Sequence, residues 1–160
     1  MKQASNEIKI LGSKGNTIGS IKIDIPRSHF IKSGSKSTSR VHQSKKVLAF
    51  EEVKPMFRYL GYSQQEVAEV LEVNPSTLSR WDKNEKSTPI GKLRSKTLFD
   101  IDHIIAKGVR IFGSEDNFKN WLNTPNYALG DVKPIELLKD PYGVELVDNA
   151  IEAMSWGNFI

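Results

Sequence analysis

Acid–base or metal chemistry would need histidines and carboxylates that the fold can bring together, and the sequence offers few of them. His29, His42 and His103 are far apart in the chain. Asp100, Asp102 and His103 are close in sequence, but residues at i and i+2 point to different sides of a helix, so a solvated polar face explains them better than a metal site. No nucleophile–base pair or pair of carboxylates stands out. We therefore predict a protein that is not an enzyme and has no metal site or cofactor.

Two glycine-containing stretches, GSKGNTIGS and SGSKSTS, do not qualify as phosphate-binding loops. The first lacks the Lys-Ser/Thr ending, the second lacks the upstream glycine at the right spacing, and neither leads into an amphipathic helix. The absence of cysteine excludes disulfides, thiolate zinc sites and cysteine nucleophiles. Since no long apolar run is present either, we expect a cytoplasmic protein.

Polar residues in the stretch YSQQEVAEVLEVNPSTLSRWDK, residues 62–83, are suited to nucleic-acid recognition. Short hydroxyls and long cations can approach base edges and phosphates in a major groove, and a glutamine at the start of a helix can contact a phosphate. The predicted DNA-binding residues are Gln64, Ser76, Thr77, Ser79, Arg80 and Lys83.

Two helices joined by a turn must position these side chains. Their inner stripes consist of Val67, Ala68, Leu71, Leu78 and Trp81. The small Ala68 allows the helices to cross closely, Asn74 is the expected N-cap of the second helix, and Pro75 starts it. From Phe50 to Asn84 this stretch resembles the Xre-type helix-turn-helix of phage and bacterial repressors. That family usually has glycine in the turn where this chain has Glu72, and a non-glycine residue at positive φ costs about 1 kcal/mol.

The sequence after residue 114 contains three apolar faces at helical spacing, which can close a small core. They comprise Phe118, Trp121 and Leu122; Leu129, Ile135, Leu137 and Leu138; and Val144, Val147, Ile151 and Met154. Gly143 lies one turn into the last helix, where glycine costs about 1 kcal/mol of helix propensity relative to alanine. We therefore expect another backbone to approach it. Beyond a predicted helix stop at Gly157, Phe159 and Ile160 are apolar, which predicts burial against the core or a partner.

Six short features follow one another in the C-terminal part: WL, TPN, ALG, a proline with LL, a glycine with Glu and Val, and an apolar helix ending in glycine. In this order they resemble the toxin-binding domain of Xre/MbcA/ParS antitoxins over residues 98–160. The resemblance implies a type II antitoxin that neutralises a partner toxin by direct binding and represses its own operon. The partner would be a RES-type, NAD-consuming toxin or a related ADP-ribosyl-transfer toxin, whose active-site cleft the C-terminal segment covers. By position, the implied toxin-binding residues are Gly143, Glu145, Val147, Ser155, Trp156, Gly157, Asn158, Phe159 and Ile160.

Two other interpretations stay open at this point. The chain could be an ordinary dimeric helix-turn-helix repressor whose C-terminal half is a dimerisation or ligand-sensing module. Alternatively, the helical hairpin has lost DNA binding because of Glu72. Repressors of this type commonly bind palindromes as dimers, so we expect a homodimer.

The predicted organisation is mainly α, in three parts. Residues 1–46 hold a β-hairpin over 8–25 and a flexible basic linker over 26–46; residues 47–97 form the helix-turn-helix domain, and residues 98–160 form a small helical toxin-binding domain. Predicted helices cover about 49–60, 64–71, 75–83, 90–107, 115–123, 134–139 and 141–155, with N-caps at Ser63, Asn74, Ser114 and Asp140 and helix-ending glycines at Gly61, Gly108 and Gly157. The net charge is +8 over residues 1–50 and −5 over residues 111–160, which indicates different partners and nucleic acid at the basic end.

Overall fold

The computed structural model describes residues 7–11, 17–22, 28–31, 46–84 and 88–157. Its helices are α1 (Phe50–Leu60), α2 (Gln64–Val70), α3 (Pro75–Lys83), α4 (Lys92–Phe112), α5 (Glu115–Leu122), a 3₁₀ helix (Tyr127–Leu129), α6 (Pro134–Leu137) and α7 (Pro141–Ser155). The mainly helical prediction is confirmed. Among the residues described, none of these helices has the length and apolar character needed to cross a membrane.

Two short strands precede the helices. β1 (Glu7–Leu11) pairs antiparallel with β2 (Thr17–Lys22), and Ile8 stands opposite Ile21. Residues 12–16, which would connect the strands, lie outside the described residues, so the hairpin over 8–25 stays a prediction.

Local capping chemistry explains where most helices begin and end. Side-chain oxygens of all four predicted N-cap residues accept hydrogen bonds from backbone N–H groups of the first turn: Ser63, Asn74, Ser114 and Asp140. Gly61 and Gly157 follow helices in the left-handed region, with φ of 74° and 79°. These predicted helix boundaries are confirmed because each depends on one or two neighbouring residues.

The predicted helix stop at Gly108 is wrong. Gly108 lies inside α4, which continues to Phe112 and ends at Gly113 with φ of 81°. A methyl group at Gly108 would overlap the ring of Phe118. The glycine is therefore present for close packing of α5 against α4 and does not end the helix.

One continuous core connects the two helical parts predicted from the sequence. The predicted boundary between residues 97 and 98 falls inside α4. Buried residues from both sides of that boundary belong to the same cluster: Val53, Met56, Leu60, Leu98, Ile101, Ile105, Phe118, Leu122, Val147 and Ile151. Helix α4 spans that boundary and packs most extensively against α7 and α5.

Two expectations, one about residues 28–31 and one about Asp102 of α4, are wrong. Residues 28–31, predicted to lie in a flexible linker, pack on the helical body, and Ile31 is 1% exposed. Asp102, predicted to lie on a solvated helix face, is also 1% exposed. The carboxylate of Asp102 accepts hydrogen bonds from residues 28–31, so each departure from the prediction explains the other.

Candidate binding surfaces

Helix α7 is fixed at its first turn by a close backbone contact. The Asp140 carboxylate accepts hydrogen bonds from the N–H groups of Tyr142 (2.9 Å) and Gly143 (3.2 Å). A methyl group at Gly143 would overlap the backbone carbonyl of Leu137 at the end of α6. The predicted close approach of another backbone to Gly143 is confirmed.

The two faces of α7 have different environments. Val144, Val147 and Ile151 face the core and are buried. On the opposite face, Tyr142 is 70% exposed and Trp156 is 77% exposed, with Leu146 at 36% between them. Their spacings of four and ten residues place all three side chains on one side of the helix. We call Tyr142, Leu146 and the C-cap residue Trp156 the exposed apolar stripe of the outer face of α7; exposed Asn149 lies between Leu146 and Trp156 on the same face.

The polar residues of α2 and α3 form a second surface. Gln64, Ser76, Arg80 and Lys83 are exposed, whereas Thr77 and Ser79 are half-buried. The Arg80 guanidinium donates a hydrogen bond to the Thr77 hydroxyl (3.2 Å), and the Ser76 hydroxyl donates to Asn74 Oδ1 (2.8 Å). Behind this surface, Leu78 is buried and the Trp81 ring lies 5.9 Å from the Phe50 ring. The core contacts thus turn the hydroxyls and cations of α3 toward solvent.

The turn between α2 and α3 contains Glu72 in the left-handed region, with φ of 49°. Arg94 from α4 lies beside it: its guanidinium donates to the Glu72 carbonyl oxygen (3.3 Å) and lies 3.6 Å from the carboxylate. The predicted positive φ is confirmed. Because Arg94 pairs with Glu72, the acid does not present an unpaired negative charge beside α3.

A polar link joins α2 to α6. Lys139 Nζ lies 2.7 Å from Glu66 Oε1 and 2.6 Å from Glu136 Oε2. The Tyr62 hydroxyl donates to the Ile135 carbonyl oxygen (2.7 Å). The hydrogen bond from Lys139, helped by the N–H and hydroxyl of Ser63, lowers the pKa of Glu66 to about 2. Partial burial lowers the pKa of Lys139, but its hydrogen bonds to Glu136 and Glu66 outweigh this effect, and the pKa is raised.

Part of this chain matches a known protein family. Residues 107–157 match the family model of the antitoxin Xre/MbcA/ParS C-terminal toxin-binding domain. Residues 107–157 belong to this antitoxin family. The Xre/MbcA/ParS domain contains α5, the 3₁₀ helix, α6 and α7. Residues 107–157 are therefore similar to a domain that binds a toxin.

A solved structure is also similar to this chain. The crystal structure of the M. tuberculosis MbcT–MbcA toxin–antitoxin complex contains a chain with 22% sequence identity, and the match covers 68% of this chain and 94% of that one, with a TM-score of 0.45. No curated protein matches the sequence.

The structure describes six of the nine predicted toxin-binding residues, of which two are buried and four are exposed. Gly143 and Val147 are buried in the chain. Glu145, Ser155, Trp156 and Gly157 are exposed, while Asn158, Phe159 and Ile160 lie outside the described residues. Sequence reasoning missed Tyr142 and Leu146. Their i, i+4 spacing was the signal for a second apolar face, and Trp156, ten residues after Leu146, lies on the same side.

The α2–α6 link predicts a specific pH dependence of stability. Because the pKa of Glu66 is depressed in the folded state, the link stabilises above the unfolded value near 4.5, and this stability is lost as the pH falls toward about 2. We expect Lys139→Met to lower the free energy of unfolding at pH 7 by about 1 kcal/mol. The variant should also lose less stability than the wild type as the pH falls from 4.5 toward 2. Urea unfolding between pH 7 and pH 2 measures both effects.

Lys96→Met is the matched control for Lys139→Met. Lys96 forms an exposed i,i+4 pair with Asp100 (2.8 Å), which contributes at most about 0.5 kcal/mol. If the free energy of unfolding of both variants fell with pH as it does in the wild type, the link would not be responsible for the pH dependence.

Proposed function

We propose that this protein is a type II antitoxin with two separable binding surfaces. The outer face of α7, together with residues 156–160, binds the partner toxin, and α2 with α3 binds operator DNA as a helix-turn-helix. The observation that carries the proposal is the exposed apolar stripe Tyr142, Leu146 and Trp156, which lies within the matched toxin-binding domain.

The composition of the stripe suits a protein partner. Tryptophan and tyrosine contribute most strongly to protein interfaces when a partner buries them, and a row of exposed apolar side chains marks an interaction surface. Tyr127, a further exposed aromatic residue at 85%, lies on the 3₁₀ helix that packs against α7. Glu145, beside the stripe, supplies a charge at its edge.

Charge supports the choice of partner. Residues 111–160 carry a net charge of −5, which favours a partner with a basic surface. A toxin that consumes NAD must bind a pyrophosphate, and cations commonly line such a cleft. The proposed partner is therefore a RES-type toxin, or a related ADP-ribosyl-transfer toxin, whose active-site cleft the end of the antitoxin covers.

The polar surface of α2 and α3 is the basis for proposing operator repression. Arg80 and Lys83 are exposed on α3, and Gln64 is exposed at the N-terminus of α2. The net charge of +8 over residues 1–50 adds long-range attraction to DNA. A homodimer would match a palindromic operator, so we propose dimeric binding.

Arg80→Ala separates the two proposed activities. A specific base contact contributes about 1–3 kcal/mol, so we expect operator affinity to fall by a factor of about 5 to 150 without a change in the salt dependence. If Arg80 contacts only a phosphate, the slope of log K against log salt should instead decrease by about 0.9. Titration of the upstream DNA at two salt concentrations distinguishes these results.

The control for Arg80→Ala is Lys96→Ala, an exposed cation on α4 that should leave operator affinity unchanged. The toxin complex of Arg80→Ala should purify intact. If Arg80→Ala bound DNA like the wild type, the proposed role of α3 would be wrong. If Trp156 fluorescence did not shift on addition of the neighbouring gene product, an ordinary repressor with a C-terminal dimerisation or ligand-sensing module would explain the chain better.

A further inference from the structure

The segment Ser28–Ile31, here called the strap, is held by one buried carboxylate. Asp102 Oδ1 accepts a hydrogen bond from the Phe30 N–H (2.7 Å). Asp102 Oδ2 accepts from the Ser28 hydroxyl (2.9 Å) and from the N–H groups of His29 (3.0 Å) and Ile31 (3.3 Å). Three successive backbone N–H groups therefore converge on a single side chain of α4, an arrangement that binds anions.

Side chains of the strap occupy the junction of α1, α4 and α5. Ile31 is 1% exposed and belongs to the core cluster. The Phe30 ring lies 5.2 Å from the Tyr59 ring of α1, and His29 Nε2 lies 2.6 Å from Glu115 Oε1 of α5. The Tyr59 hydroxyl also donates to the Glu115 carbonyl oxygen (2.8 Å). The strap thus contacts three helices within four residues.

The contacts of the strap resemble those of a bound peptide. Each hydrogen bond to Asp102 joins residues more than seventy positions apart in sequence. The helices beneath are also joined by contacts that do not involve the strap, including those between α4 and α7 and between α4 and α5. Local opening of a segment held mainly by its own contacts requires less free energy than global unfolding. The strap therefore packs on a body whose helices also have contacts of their own, although Ile31 joins their core cluster.

We propose that the junction of α1, α4 and α5 is a peptide-docking site, with Asp102 as its receptor for backbone N–H groups, and that the chain's own Ser28–Ile31 strap occupies it. The ligand class is a short segment with a hydroxyl residue first, an aromatic residue third and a branched aliphatic residue fourth. Both Asp102 and the strap lie outside the matched residues 107–157. The proposal does not depend on the toxin or on DNA.

Amide hydrogen exchange on the full chain tests this docking site. In Asp102→Asn, an amide NH₂ replaces one acceptor oxygen and faces N–H donors. We expect the amides of residues 29–31 to exchange at least tenfold faster, while the amides of α4 and α7 keep their protection. Asp100→Asn, an exposed neighbour on the same helix, is the matched control and should change none of these rates.

A variant of the strap itself gives an independent measurement. Ile31→Ser keeps Asp102 but removes the buried side chain, so the same amides should lose protection. A synthetic peptide of residues 26–33 should then bind saturably to Ile31→Ser. The docking site is overturned if residues 29–31 stay protected in both variants, if α4 and α7 lose protection together with them, or if the peptide does not bind.

Discussion

Deletion of residues 156–160 is expected to weaken toxin binding by at least a factor of about 100 and to leave the fold intact. Trp156 is 77% exposed in the free chain, so its removal takes away little core packing. A tryptophan buried at the centre of an interface contributes about 2–4 kcal/mol to binding, which corresponds to a factor of about 30 to 1,000 in affinity. Calorimetric titration of the purified toxin measures the loss, and growth of cells that express both proteins reports neutralisation.

Point variants show whether the loss belongs to the proposed surface. Trp156→Ala and Tyr142→Ala should each weaken the complex, whereas Leu93→Ala should not. Leu93 is also 77% exposed but lies at the start of α4, and it therefore controls for the loss of an exposed apolar side chain. If the shortened chain neutralised the toxin as well as the full chain does, the proposed role of residues 156–160 would be wrong.

Gly143→Ala is expected to destabilise the protein strongly, although helix propensity alone predicts the opposite. Alanine in place of a helical glycine favours the helix by about 1 kcal/mol. Here the new methyl group would overlap the Leu137 carbonyl, and a backbone group cannot move by rotamer change. Overpacking of this kind costs about 3 kcal/mol, or about 6–12 °C in Tm for a chain of this size. Thermal unfolding followed by circular dichroism measures the difference.

Gly108→Ala provides a matched comparison because the same substitution is made inside a helix. Its methyl group would meet the Phe118 ring, a side chain that can adjust, so we expect a smaller loss of stability than at Gly143. Toxin affinity should fall for Gly143→Ala in proportion to the fraction of molecules in which α7 is unfolded or displaced. An increase in Tm for Gly143→Ala would show that α6 and α7 can separate without penalty, against the close backbone contact described above.

The predictions that depended on neighbouring residues agree with the structure. The caps at Ser63 and Asp140 each depend on a hydrogen bond that spans two or three residues. Gly108 shows the limit of this reasoning, because a glycine near the expected end of a helix gives the same local signal whether it ends the helix or accommodates a ring from α5.

Long-range contacts account for what the sequence did not indicate. Asp102 lies on the apolar face of α4, one turn from Leu98 and Ile105. The donors that satisfy its carboxylate come from residues 28–31, which no helical period relates to it. The partner of Glu72 was also outside any local pattern, since Arg94 belongs to a different helix. At the candidate site, the inner stripe of α7 and Trp156 were identified, whereas Tyr142 and Leu146 were overlooked because only one apolar face was sought.

The polar link between α2 and α6 bears on how such proteins can be recombined. Tyr62 and Glu66 contact Ile135 and Lys139 across a distance of 73 residues in sequence, and both contacts are polar and directional. A graft of residues 107–157 onto a different N-terminal part would remove Glu66 and leave Lys139 with Glu136 alone of its two carboxylate partners. In this chain the unit that keeps both polar contacts is therefore larger than the matched residues 107–157, because it must also include Tyr62 and Glu66.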